Sequence, residues 1–208
     1  KRQLAGNIYL AELGPRHRSL GELRYDQAVN ALIGGKYEEA LRLAAVSRGI
    51  LDPILDPDNP FRAHVLALEG QILYDKKEEA PARRQRDIAV ARSNLERAVA
   101  IYERSLGQQS YVLAIPLQYL GLIAAEQGSP LDGLRYLDRA EANFAASYDS
   151  ENVNHVYLYV YRAQVLARAG RSEEATRFCS RAVALSERLM GPEAYDTNWS
   201  KKECASVN

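Results

Sequence analysis

Three imidazoles, two thiols and a few paired carboxylates are the side chains of this 208-residue sequence best suited to chemistry. A metal site needs its ligands brought together, but His17, His64 and His155 share neither a Cys-x-x-Cys nor a His-x-x-x-His spacing with any partner. No Gly-x-Ser-x-Gly elbow or phosphate-cradling glycine loop occurs, and Gly34-Gly35 closes a helix rather than opening one. The acidic pairs Glu38-Glu39 and Glu173-Glu174 sit where helices should begin, so they are read as complements to helix dipoles rather than as a general acid and base. Cys179 and Cys204 are either small apolar core residues or, in an oxidising compartment, a bonded pair. Asn198-Trp199-Ser200 is a glycosylation acceptor pattern that matters only in a secreted chain. These residues lead to the expectation of no catalytic centre, no metal and no cofactor.

Charge narrows the partners. With 27 basic and 27 acidic residues the chain is formally neutral, so no global field draws it to nucleic acid or anionic lipid. The most basic stretch, 76–97, is read as a loop insertion and carries 7 positive and 4 negative residues, net +3. A nucleic-acid clamp usually neutralises about 6–10 phosphates. Arg83, Arg84 and Arg86 are therefore read as a loop patch, either solvated or a secondary docking point for an acidic partner, with nucleic acid not expected. No apolar run reaches the about 18 residues of a membrane span. A soluble chain follows, assigned to the cytoplasm ahead of export.

The elements that carry these residues follow a repeat. Small residues recur as Ala40, Ala91, Gly133 and Ala175, as Ser47, Ala98, Ala140 and Ala182 (with Ala5 one step before), and as Ala28, Gly70, Gly121, Ala163 and Ala205. The steps are 42 residues except for one of 51 in each column, and the columns break at different places, so 51 − 42 = 9 extra residues lie between Gly70 and Ala91. Glu78 to Asp87, with Pro81 inside it, is the expected insertion loop. Around the small residues the apolar positions run at i, i+3, i+4 and i+7, the helical period, and no stretch alternates as a strand would. The column Gly14, Asp56, Gly107, Asp149 and Gly191 marks the helix stops, with Pro15 and Pro192 following two of them. Small residues at fixed places inside helices imply close helix crossings, since a glycine such as Gly121 costs a helix about 1 kcal/mol relative to alanine. The chain is thus expected to be a single all-α domain over 1–208. It holds a half-repeat at 1–13, helix pairs at 21–55, 62–106, 112–148 and 154–190, and a last helix at 193–206. Because it opens on Lys1 in mid-repeat, it is expected to be an excised piece or a trimmed mature form, the alternative being that its end helices are natural caps.

Leu120-Gly121 with Ala124 in a first helix, followed by Gly133 or Ala175 and Ala140 or Ala182 in a second, resembles the tetratricopeptide repeat (TPR). The 42-residue period is similar to the variant found in kinesin light chain-type repeats. No Trp opens the first helices, and Arg24 and Arg162 stand where an apolar residue is expected, which predicts looser packing in those two units. The resemblance implies an α-solenoid, a right-handed superhelix whose concave groove is lined by first helices and binds a protein or peptide segment.

On that register the groove is expected to be lined by Tyr25, Val29 and Leu32, then Gln71 and Tyr74, then Gln118 and Leu122, then Gln164 and Arg168. The Lys and Asn that clamp a chaperone's C-terminal carboxylate in some such repeats are replaced here by Tyr25 and Val29, so that ligand is not expected. Among the 13 tyrosines, Tyr157, Tyr159 and Tyr161 cluster, with Tyr111, Tyr119 and Tyr136 nearby; they are read as core residues with exposed tips, the alternative being an interface. The function expected is a noncatalytic scaffold or adaptor. The alternatives are a regulatory or substrate-recognition segment of a larger enzyme or signalling protein, and self-association through the terminal helices.

Overall fold

The computed structural model describes residues 17–207 and divides the chain into two compact units, 1–107 and 108–208. The expected helix at 1–13, with Ala5, Gly14 and Pro15, lies outside the described residues. Unit 1 holds α1 (Arg18–Ile33), α2 (Tyr37–Leu51), α3 (Pro60–Asp75) and α4 (Pro81–Leu106). Unit 2 holds a 3-10 turn (Tyr111–Leu113), α5 (Ala114–Glu126), α6 (Pro130–Ala145), α7 (Val153–Arg168), α8 (Ser172–Met190) and α9 (Tyr195–Ala205). No strand occurs among the described residues. The antiparallel pairs are α1 with α2, α3 with α4, α5 with α6, and α7 with α8, and α9 rests on α7 and α8.

Local chemistry sets the ends. Asn59 accepts from the Phe61 backbone N–H at 2.9 Å with Pro60 at the first helical position, so α3 starts capped. Asn152 and His155 form a reciprocal capping box at the start of α7. The tight turns inside the pairs need a left-handed residue, supplied by Gly35, Gly128 and Gly170 at φ +69°, +85° and +74°. Gly107 and Gly191 end α4 and α8 as the stop column requires, but α6 ends at Ala145, short of Asp149, and α2 ends at Leu51, well short of Asp56. Pro53 explains the early stop, because it has no N–H with which to continue the helix.

The small-residue columns are crossing points. Ala28, Ala40, Ala91, Ala98, Ala140, Ala163, Ala175 and Ala182 are fully buried, and so is Ser47, whose hydroxyl donates to the Gly21 carbonyl at 2.8 Å. Among the described glycines, backbone comes closest where α5 crosses α6. A Cβ on Gly121 would lie 2.9 Å from the Gly133 carbonyl oxygen, and one on Gly133 would lie 2.6 Å from the Gly121 carbonyl oxygen. In unit 1 a Cβ on Gly70 would stand 2.6 Å from Leu95 and 3.1 Å from the Ala91 carbonyl oxygen. The column fails only at its last member: Ala205 is exposed, and its neighbour Cys204 turns inward instead, bonded to Cys179 of α8. A reducing medium opens such a bond, and an oxidising compartment preserves it.

Two expectations need correction. The insertion is no loop: α4 runs 26 residues from Pro81, against 15 in α2 and 16 in α6, so the extra residues lengthen the helix at its start. Proline breaks a helix from within but suits its first turn, and Pro81 occupies that turn. Arg83, Arg84 and Arg86 are accordingly helical residues. Nor is packing loose around Arg162. Its guanidinium is buried, donates to Asp138 at 2.6 Å and Glu141 at 2.9 Å of α6, and lies 5.4 Å from the Phe178 ring centroid of α8. A cation thus takes the place of an apolar contact by tying three helices. Arg24 is half-buried and donates to Gln27 at 2.8 Å.

Candidate binding face

First helices lie side by side within each unit, α1 beside α3 and α5 beside α7 beside α9. Each layer is built on its partner helices through the small-residue crossings; α5 is buried from Pro116 to Ala125, whereas α1, α3 and α7 keep half-buried side chains along their length.

In unit 1 most of the expected groove residues are engaged in packing. Tyr25 meets Phe61 with ring centroids 5.2 Å apart, and its phenol is pushed up by burial and by neighbouring Asp26. Val29 and Leu32 rest on the core of Ala28, Leu43, Leu68 and Ile72. Gln71 is half-buried. Tyr74 is buried: its carbonyl accepts from Arg84 at 2.7 Å and the same guanidinium lies 4.9 Å from its ring centroid. Arg83 and Arg86 are exposed. His64 packs against Tyr25, Phe61 and Tyr102 and shares a hydrogen bond with the Tyr102 hydroxyl. Glu69 is buried and accepts from Asn94 at 3.1 Å, with Arg48 at 3.3 Å; burial, opposed by Arg48, pushes its carboxyl up.

In unit 2 the expected residues divide. Gln118 and Leu122 are only 3% and 1% exposed, so they belong to the interior and not to an open face. The register places Ala67 and Val160 at the Gln118 position, and both are also buried, whereas Leu122 shares its position with half-buried Gln71 and Gln164. Gln164 is half-buried and donates to Glu203 of α9 at 2.9 Å, and Arg168 is exposed.

The accessible stripe in unit 2 keeps Gln164 and Arg168 of the expected residues and adds aromatic ones. On α7 it comprises Tyr157, Tyr161, Gln164 and Arg168, spaced i, i+4, i+7 and i+11. On α9 it comprises Asp196, Trp199 and Glu203, spaced i, i+3 and i+7. Tyr157 and Trp199 have ring centroids 4.6 Å apart, Tyr161 meets Trp199 at 5.9 Å in a T-shaped contact, and Tyr119 of α5 and Tyr161 bring their hydroxyls to 3.2 Å. Tyr157 donates its hydroxyl to Asp196, and burial together with this bond drives its phenol far above the ordinary range. The signal for this stripe was present in the sequence: Ile115, Tyr157 and Trp199 are 42 residues apart, as are Tyr119, Tyr161 and Glu203, and Ile115 is exposed. Of the tyrosine cluster, Tyr159 and Tyr119 are buried in the core, while Tyr157 and Tyr161 are half-buried.

The side chains most suited to chemistry hold structure together. His17 caps α1, its Nδ1 accepting from the Ser19 N–H at 3.2 Å. Glu151 accepts from Tyr159 at 2.7 Å, Arg181 at 2.7 Å and Arg188 at 3.2 Å, and the tyrosine hydroxyl, with Arg181, holds its carboxyl below the usual range. Burial lowers both His64 and His155 from the ordinary value of 6.5. A lowered imidazole favours the folded state above its unfolded value, and that advantage is lost as pH falls below about 6.5. The melting temperature should therefore drop between about pH 7.5 and about pH 6. In a His64→Gln, His155→Gln double variant, which keeps a capping-box residue at 155, the drop should shrink. Equal drops in both proteins, followed by scanning calorimetry, would show the two imidazoles to be uninvolved.

No described helix is long and apolar enough to cross a membrane. No family model matches the chain, and no curated protein matches it. Among solved structures, one of a Podosopora anserina protein described as a kinesin light chain with nearly identical TPR-like repeats aligns at a TM-score of 0.64. The identity is 18%, over 92% of this chain and 86% of that one. A second structure of that protein, a variant, aligns with the same values. Identity this low speaks to architecture, and the architecture agrees with the paired helices and small-residue crossings above: the fold of this chain is that of TPR-like repeats.

Proposed function

We propose that the chain is a noncatalytic protein-interaction module, a scaffold or adaptor that holds an extended segment of a partner protein across the exposed flanks of its first helices. The observation that carries this reading is the stripe of half-buried Tyr157, Tyr161, Trp199 and Gln164 with exposed Arg168 in unit 2. Tyr, Trp and Arg are the residue types that dominate binding energy at interfaces, because they combine large contact area with directional polar groups. Here they stand on packed helices, so little of their order has to be bought on binding. Half-buried Gln71 of α3 offers unit 1 an amide of the kind that pairs with a peptide backbone.

Panning a library of random peptides against the full chain tests the reading. Saturably binding peptides should be recovered, and a Gln164→Ala, Arg168→Ala double variant with unchanged helicity should bind them about tenfold more weakly. Recovery of no peptide, or of peptides indifferent to that variant, would overturn it. Tyr25 and Tyr74 are poor probes, since their rings pack against Phe61 and Arg84 and truncation would unfold as well as unbind.

A further inference from the structure

Unit 2 repeatedly sets a guanidinium against an aromatic ring with a carboxylate in reach. Arg181 lies 4.2 Å from the Tyr159 ring centroid and donates to Glu151 at 2.7 Å. Arg162 lies 5.4 Å from that of Phe178 and donates to Asp138 and Glu141. The α7–α9 stripe offers the same ingredients without the cation. Trp199 stacks beside Tyr157, and Asp196 and Glu203 stand one turn to either side of it on the same flank of α9. Asp196 accepts from Tyr157 and Glu203 from Gln164, and neither carboxylate is paired with a cation among the described residues. The Trp199 indole N–H donates to no acceptor among them either, although the side chain is half-buried.

We propose that this stripe is a docking surface for an arginine-bearing, extended segment of a partner protein, which deepens the reading above and rests on it. The partner's guanidinium sits against the Tyr157–Trp199 aromatic pair and between the carboxylates of Asp196 and Glu203, while the indole N–H of Trp199 donates to a partner backbone carbonyl. Charge complementarity selects the occupant: the two acidic groups flank the rings on α9, exposed Lys202 stands on the other side of Trp199 from them, and the one cation of the α7 stripe, Arg168, lies at its far end, seven residues beyond Tyr161. Tryptophan is the ring most attractive to a cation, and a guanidinium matches a carboxylate with two parallel donors where an ammonium offers a point charge. An acidic segment would instead meet Asp196 and Glu203 as like charges.

Fluorescein-labelled peptides of one length, Gly/Ser repeats carrying three Arg, three Lys, three Glu or no charge, test the assignment by anisotropy on the full chain. Trp199 is the sole tryptophan, so its emission reports the site independently. The arginine peptide should bind saturably, at least about tenfold tighter than the glutamate and uncharged peptides and measurably tighter than the lysine peptide, and should shift the Trp199 emission. An Asp196→Asn, Glu203→Gln variant should lose about tenfold and Trp199→Phe, which keeps a ring but no N–H, a smaller factor, both with helicity retained at the assay temperature. Equal binding of the arginine and glutamate peptides, binding unaffected by both variants, or no binding at all would overturn the proposal. Library-selected peptides that still need Gln164 and Arg168 but prefer acidic or neutral residues would sink the arginine assignment and leave the interaction module standing. Absence of any peptide ligand would remove both.

Discussion

Gly133→Ala should lower the melting temperature of the full chain by roughly 10 °C. The added methyl would stand 2.6 Å from the Gly121 carbonyl oxygen, a backbone atom that cannot rotate out of the way, and Val165 of α7 closes the remaining space at 3.1 Å. Overpacking of this kind costs about 1–3 kcal/mol, and in a unit of this size each kcal/mol moves the transition by about 4–8 °C. Gly121→Leu should cost at least as much, since its Cβ is 2.9 Å from the Gly133 carbonyl oxygen and the longer side chain would also meet Leu137. Gly49 is the control. It lies in α2, is exposed, and has nothing within 4 Å of its missing Cβ, so Gly49→Ala should stabilise by about 0.5–1 kcal/mol. Calorimetry on the three variants separates crossing from propensity: if Gly133→Ala and Gly49→Ala shift the transition alike, α5 and α6 do not cross as described.

Opening the Cys179–Cys204 bond should have an effect of similar size on α9. The bond closes a loop of sequence separation 25, for which chain entropy alone predicts about 3–4 kcal/mol of stabilisation. The other attachments of α9 are largely polar or aromatic, among them Ser186 with Thr197 at 2.8 Å, Lys201 with Glu187 at 2.8 Å, Gln164 with Glu203 at 2.9 Å, Tyr157 with Asp196, and Trp199 against Tyr157 and Tyr161. Reduction, verified by counting thiols, should lower the unfolding transition reported by Trp199 by on the order of 10 °C, and Cys204→Ser should match it. A transition unchanged in reductant would mean that the sulfurs contribute no more than packing.

The repeat was legible because a close crossing tolerates only Gly, Ala or Ser, and such a restriction shows through wherever it recurs at a fixed step. Gly70, Gly121 and Gly133 could thus be assigned to crossings from one sequence. Helix ends were legible where a glycine must adopt positive φ, as at Gly107 and Gly191, and illegible where a proline competes, as at Pro53 and Pro81. Pro81 shows why: the same ring that breaks a helix within favours its first turn, and the sequence around it fits either outcome. Accessibility was harder still. Gln118 and Leu122 are buried while Gln164 and Arg168, on the same expected face, are not, and that difference depends on what packs there, which no periodicity encodes. The disulfide occupied a middle ground, with proximity readable from the register and bonding not.

Site-specific photo-crosslinking to a library-selected peptide tests the proposed mode of action most directly. Benzoylphenylalanine in place of Ile115 on α5 or Gln71 on α3 faces from a first helix, whereas the same group in place of the exposed Arg135 on α6 faces from a second. Crosslinks that form from the first-helix positions and fail to form from position 135 are the expected result. Crosslinks concentrated at position 135, with none from α3 or α5, would show that the partner is held elsewhere.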